Sequence, residues 1–297
     1  MSKKYGYWET QGLKFESKYY ALRHATIHNS EVWFKYHNEV WTAFDRSVLG
    51  KIPLNVLYRT RAQQLRDKYE YLILYYSGGA DSHNVLRSFL DNSILLDEIC
   101  VKMPKHILDG KYYSPNKIDL TARNYWSEWD YSIKPTLDVI SQQHPNIKIN
   151  IKDYIGNSTT KNIELLFEKS NHIRPAAMLY SDSVSDSDLV VSDSGKTVGH
   201  IFGTDKPLLL QKENAAYMFF NDFALSTTTS GPSNHENGEC FYWAPDFPIL
   251  PFEMAYQTSE YYNLNPNDRK FKVGPGTYFR SVSTRHSEKD VLHYLGQ

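Results

Sequence analysis

Cysteine is nearly absent from this chain of 297 residues, in which Cys100 and Cys240 are the two thiols. Two thiols cannot build a disulfide framework or a four-thiolate zinc site within one chain. Long apolar runs are lacking as well: none approaches a membrane span, and the opening Met1-Ser2-Lys3-Lys4-Tyr5-Gly6-Tyr7-Trp8 has no signal-peptide core. A soluble, cytoplasmic protein is expected, in which the Asn157-Ser158-Thr159 sequon is an accident of composition. Neither charge sign dominates, since 33 Lys and Arg face 34 Asp and Glu for a net charge of −1. Global attraction to nucleic acid is therefore not expected, while a local basic groove stays open.

Aromatic side chains are what the chain has in excess, with 23 Tyr, 14 Phe and 6 Trp. Tyrosine packs a ring while keeping its hydroxyl wet, so this composition serves either core packing, the simpler reading, or broad surfaces for bases and proteins. Hydrophobic residues make up 41% of the chain, enough for a core in one large α/β domain or one domain with additions.

Along the chain, residues 1–68 read as a helical cap. Apolar and aromatic residues recur at spacings of three and four over 17–27 and 31–44, and Leu54, Leu57, Tyr58 and Leu65 continue the pattern in a helix carrying Arg59, Arg61, Arg66 and Lys68. That basic face is solvated or turned to a nucleic acid. From 69 to 210 the pattern alternates. Strands are expected over 71–76, 95–103, 147–154 and 198–203, and helices over 82–92, 121–143 (interrupted near Pro135), 159–170 and 174–181. Such alternation predicts a parallel, doubly wound sheet, with ligands beyond the carboxyl ends of its strands. Residues 211–297 read as a substrate-facing subdomain or a buttress. There the breaker-rich stretch 226–240 is expected to be a long loop, followed by the aromatic, proline-rich run 241–251 and a helix over 252–262.

The most informative stretch is Ser77-Gly78-Gly79-Ala80-Asp81-Ser82, which interrupts a buried-strand pattern just before a helical one. Gly78 and Gly79 remove the Cβ atoms that would block an anion and permit positive φ, letting successive amides converge. The following helix aims its N-terminal amides at the same spot, and Ser77 and Ser82 add hydroxyls. Asp81 repels a phosphate, so its expected work is to hold Mg²⁺ bridging to the phosphates.

These residues match the SGGxDS signature, and here the chain resembles the PP-loop ATP pyrophosphatases, which include asparagine synthetase, NAD synthetase, GMP synthetase and tRNA-lysidine synthetase. The resemblance covers residues 69 to about 210 and implies an adenine nucleotide alpha-hydrolase-like, Rossmann-like fold. It implies ATP and Mg²⁺ as cofactors, with the β/γ pyrophosphate in the 77–82 loop and AMP passed to a substrate oxygen. It also implies adenine contacts at the end of the second strand, at Val101, Lys102 and Met103. Lys102 points either at phosphates or at water. The whole chain is similar to PP-loop proteins carried by tailed phages, which implies the host cytoplasm.

After the last strand of this unit, Gly203-Thr204-Asp205-Lys206-Pro207 delivers a carboxylate and an ammonium to the rim of the phosphate loop. Asp205 is a candidate second Mg²⁺ ligand and Lys206 a counter-charge for the α-phosphate, although the same residues also suit a turn closed by Asp and Pro. Arg174, near His172 at a helix start, either grips a phosphate or lies on the surface.

Three patterns are weaker. Gly195-Lys196-Thr197 has the tail of a Walker A motif, but Val190 stands where that motif needs glycine and a strand follows, so 193–196 reads as a hairpin turn. His24 and His28 have metal-compatible spacing without a third ligand. Glu239-Cys240 resembles the cysteine motif of phosphoadenylylsulfate reductases, with Phe241-Tyr242 where glycine and histidine belong.

The expected activity is that of an ATP-dependent, AMP-forming ligase: it adenylates an acceptor oxygen, releases pyrophosphate, and passes the adenylated carbon to ammonia, an amine or another nucleophile. The acceptor stays open among amino acids, nicotinate derivatives, purines and tRNA bases. Homo-oligomerisation also stays open. The alternatives are a sulfonucleotide enzyme dependent on Cys240, and a non-catalytic adenine-nucleotide module with a protein or nucleic-acid partner.

Overall fold

The computed structural model describes residues 6–16, 18–103, 128–152, 195–203, 206–212, 215–219, 237–264, 272–273 and 276–279. The helices expected over 159–170 and 174–181 lie outside them.

At the N-terminus, β1 (Tyr7–Thr10) and β2 (Leu13–Phe15) form an antiparallel hairpin, and β3 (Trp33–Lys35) pairs with the other edge of β1. The hairpin turns through Gln11 and Gly12, both at positive φ as the right-handed twist of such hairpins favours. Packed on this sheet is α1 (Lys18–His28); α2 (Asn38–Ala43) follows β3, and α3 (Leu54–Lys68) turns instead to the central core. The expected helix over 31–44 is thus corrected to a strand and a short helix. His37, in the left-handed region at φ 45, separates the two, and Phe34 leaves helical spacing to pack across the strands against Trp8, the rings tilted with centroids 4.7 Å apart.

The central sheet contains β4 (Tyr71–Tyr75), β5 (Glu98–Lys102), β6 (Lys148–Lys152), β7 (Val198–Phe202) and β10 (Gly238–Cys240). Every pairing in it is parallel and the order is β10-β7-β4-β5-β6. Numbered along the chain from β4, that is the 3-2-1-4-5 order of Rossmann-like sheets, whose direction reverses between β4 and β7. The four expected strands are all present with trimmed ends. β10 is an addition from the stretch expected to be loop, so the sheet draws a strand from beyond residue 210.

One sheet face carries Leu72, Leu74, Ile99, Val101 and Ile201 into the main core, beneath α3, α4 (Ala80–Leu90) and α5 (Lys134–Gln143). The other buries Ile73, Cys100 and Val198 against Tyr71 and Tyr75. Burial on both faces explains why these strands read as continuous apolar runs. Pro135 does not interrupt α5. It sits in the first turn, where its missing amide costs nothing, after a π-helical turn at Trp129–Ile133.

The C-terminal region holds a third sheet that was not expected from the sequence. It joins β8 (Leu208–Lys212), β9 (Ala215–Phe219), β11 (Lys272–Val273) and β12 (Gly276–Phe279) in the antiparallel order β11-β12-β8-β9. The helix expected over 252–262 is α6 (Ile249–Leu264).

Candidate functional site

Beyond β4, Tyr76 still donates its amide to Cys100 O (2.9 Å), and then the chain leaves the sheet. Gly78 has φ +76, and a Cβ there would lie 2.5 Å from Ile133 Cγ1. Its carbonyl accepts from Ser132 Oγ at 2.6 Å, so the π-helical turn clamps the loop from outside. Gly79 differs, and the expectation of positive φ at both glycines is corrected. It is extended at φ −73 and ψ 160 as the N-cap of α4. A Cβ there would meet Ser77 Oγ alone, at 3.4 Å, so Gly79 faces open space. Only Gly78 needs glycine for its backbone; at Gly79 the missing side chain leaves room for a ligand.

The hydroxyls fasten this loop. Ser82 Oγ accepts from Ser77 N (3.2 Å), lies 3.1 Å from Ser77 Oγ and reaches Gly79 O at 3.1 Å. Ser77 Oγ in turn accepts from Gly79 N at 3.4 Å. α4 then starts at Ala80 with no side-chain cap on its first amides, which is the arrangement that receives an anion at a helix start.

Asp81, in that first turn, meets Lys206. The two approach to 3.2 Å between Oδ1 and Nζ, with the lysine side chain 3% exposed and the aspartate 31%. The contact is an ion pair misaligned for hydrogen bonding, so both buried atoms lack a hydrogen-bond partner among the described residues. Burial lowers the pKa of the Lys206 ammonium, and the Asp81 charge opposes that shift. The Asp81 carboxylate is the charge that accompanies this buried ammonium among the described residues.

Gly203 brings Lys206 within reach. A Cβ on Gly203 would lie 2.9 Å from Val85 Cγ2, 3.0 Å from Ser82 Cα and 3.1 Å from Asp81 O. The end of β7 therefore touches the first turns of α4, at the point where the strand order reverses and Rossmann-like sheets take their ligands.

Tyr242 completes the cluster and was not singled out as a site residue from the sequence. Its hydroxyl donates to Asp81 O (2.8 Å) and accepts from Asn84 Nδ2 (3.1 Å). Lys206 Nζ lies 5.9 Å from its ring centroid. Burial, then the Asp81 charge, hold the phenol pKa well above its ordinary value, so the hydroxyl keeps its proton. The available signal was position: Tyr242 follows a strand end, but that strand looked like loop.

The structure thus unites Ser77, Gly78, Gly79, Ala80, Asp81, Ser82 and Lys206. Val101 and Met103, whose backbone was expected to meet adenine, have side chains buried in the core, and the Met103 amide donates to Lys152 O at 2.9 Å. Lys102 Nζ lies 5.3 Å from the Tyr75 ring centroid. Asp205 and Arg174 lie outside the described residues.

The weaker patterns resolve structurally. Gly195 is in a turn and the strand β7 follows Lys196 and Thr197, where a Walker A motif needs a helix. His24 and His28 stack, ring centroids 4.3 Å apart, and no group of three potential metal-binding side chains occurs among the described residues. Cys240 is buried. Its neighbour Glu239 accepts from Lys68 Nζ (2.8 Å), Tyr69 and Arg61 (3.2 Å), and so ties α3 to β10. Arg61 itself is fully buried, so what looked like part of a basic surface helix is an internal cross-tie. Among the described residues no helix is long and apolar enough to cross a membrane.

Chemically, the site offers open backbone amides, a helix start, a carboxylate able to hold a cation and a buried ammonium, all aimed at one place. Scanned against protein-family models, curated proteins and solved structures, the chain matches none of them.

Proposed function

We propose that this protein is a PP-loop ATP pyrophosphatase that adenylates an acceptor and releases pyrophosphate. The observation that carries this reading is the Asp81–Lys206 ion pair at the mouth of the 77–82 loop. ATP and Mg²⁺ fit these residues on two counts: the space in front of Gly79 is where a Cβ would intrude, and Asp81 Oδ1 and Lys206 Nζ are buried polar atoms short of hydrogen bonds.

In this reading the amides of 78–82 and the Ser77 hydroxyl receive the β/γ phosphates. Asp81 holds Mg²⁺, with Asp205 as a second candidate ligand. Bound Mg²⁺ supplies neutralisation of the departing pyrophosphate and polarisation of the α-phosphorus. Lys206 faces the negative charge that grows on the α-phosphoryl oxygens as the acceptor attacks, in a site where burial makes that attraction worth more than in water. The chain contributes position and charge and needs no covalent intermediate. An amino acid, a nucleotide or a tRNA base remains the acceptor class, and the cytoplasm the proposed compartment, where a chain with few cysteines is ordinary.

The sulfonucleotide alternative has less behind it, because Phe241 and Tyr242 stand where glycine and histidine belong and the Cys240 side chain is buried in β10. The test is product identity. With ATP radiolabelled at the α-phosphate, Mg²⁺ and candidate acceptors, label is expected in AMP or an adenylate, and label in ADP would refute the assignment.

A further inference from the structure

Tyr242 belongs to the aromatic run after β10, outside the glycine loop and outside every residue given a nucleotide contact above. Its hydroxyl has a fixed direction. Asn84 Nδ2 donates to it at 3.1 Å, so the phenolic proton is turned to Asp81 O at 2.8 Å. In an α-helix the carbonyl of residue 81 serves the amide four residues on. A hydroxyl donor there is an additional hold on that one peptide unit.

The ring does further work, lying 5.9 Å from Lys206 Nζ, so one side chain touches both members of the ion pair. The segment that carries it is itself anchored. Trp243 O accepts from Tyr36 Oη at 2.5 Å, and the Trp243 ring packs edge-on against Trp41 at 5.7 Å. Tyr58 of α3 meets the Tyr242 ring edge-on at 6.4 Å. A phenol held on three sides presents its hydroxyl with little freedom to lose on binding.

We propose that Tyr242 is a positioning residue, whose hydroxyl holds the Asp81 backbone so that the Asp81 carboxylate stays within reach of both Lys206 and a bound Mg²⁺. The inference rests on the reading that the 77–82 loop takes a magnesium nucleotide. It goes further by making the segment after β10 a determinant of metal dependence, although that segment contacts neither phosphate nor metal. A purely structural tyrosine would stabilise the fold without distinguishing nucleotide with metal from nucleotide without it.

The test is calorimetric titration of the full chain with ATP, in Mg²⁺ and in EDTA, for wild type, Tyr242→Phe, Asp81→Asn and the double variant. Tyr242→Phe keeps the ring and is expected to weaken binding in Mg²⁺ about fivefold to tenfold, the worth of one hydrogen bond, and by less than about twofold in EDTA. In the Asp81→Asn background the same change is expected to have no further effect in Mg²⁺, because both act through one carboxylate. Asn84→Ala, which frees the hydroxyl and leaves the ring, is expected to show the same metal-specific pattern more weakly, and stands in should Tyr242→Phe not fold. An equal loss in Mg²⁺ and EDTA, or additive losses in the double variant, overturns the positioning role while leaving the nucleotide site intact. Failure of the wild type to bind ATP overturns both.

Discussion

Lys206 Nζ sits 3.2 Å from Asp81 Oδ1, and this ion pair joins the segment after β7 to the first turn of α4. Each partner is supplied by a different side of the sheet's reversal point. Replacing the cation by an isosteric apolar chain separates charge from packing. Lys206→Met is expected to weaken Mg·ATP binding at least about thirtyfold, the lower range for removing one member of a buried charge pair. The midpoint of thermal unfolding should change little, and unchanged affinity by calorimetry would remove Lys206 from the site.

The two glycines of the loop predict opposite outcomes. Gly78→Ala places a Cβ 2.5 Å from Ile133 Cγ1 at φ +76, which costs about 1–3 kcal/mol of stability. Gly79→Ala adopts φ −73 without strain, so its stability change stays within about 0.5 kcal/mol. If the proposed function holds, that alanine nevertheless fills the space assigned to phosphate, and ATP affinity is expected to fall. Chemical denaturation and calorimetry on the pair check both halves.

Gly203→Ala tests the contact between β7 and α4. Its Cβ would press on Val85 Cγ2, Ser82 Cα and Asp81 O at 2.9–3.1 Å, and two of those are backbone atoms. The expected loss is about 1–3 kcal/mol, as for overpacking in a close-packed interior. Urea unfolding measures it, and a wild-type midpoint would show that the strand end and helix are not locked together.

Acid sensitivity is expected at Glu239. Burial works against its charge, yet the bonds from Lys68 and Tyr69 and the Arg61 charge outweigh it, holding the carboxyl below its ordinary value of 4.5. A folded-state pKa below the unfolded one contributes stability above the unfolded value and loses it as pH falls through the folded value. Glu239→Gln is therefore expected to be roughly 1–3 kcal/mol less stable near neutral pH, since it leaves the buried Arg61 with only the more exposed Asp246, 3.4 Å away, as partner charge. The gap to wild type should narrow as pH drops below about 4. A gap independent of pH would contradict the assigned ion pair.

The parallel sheet was legible because β4, β5 and β7 are buried on both faces and so run continuously apolar. The 77–82 loop was legible as a candidate site because its residues are local, compressed into six successive positions. β10 was not. Gly238, Glu239 and Cys240 have little strand propensity, and they are held by pairing with β7 and by Glu239 gripping Arg61, Lys68 and Tyr69, which are long-range relations invisible to a local pattern. Arg61 misled for the same reason, since its partners lie far along the chain. Trp33, Phe34 and Lys35 read as helix because aromatic spacing of three and four also fits a strand followed by a short helix. Tyr242 was hidden behind the missed strand, so the rule that directs attention to strand ends was never applied to it.

The most direct test of the central claim is isotope exchange between pyrophosphate and ATP in the presence of Mg²⁺ and acceptor candidates, amino acids, nucleotides and tRNA included. Exchange in the wild type that disappears in Asp81→Ala is the predicted result. Tight ATP binding with no exchange and no pyrophosphate release for any acceptor would contradict it.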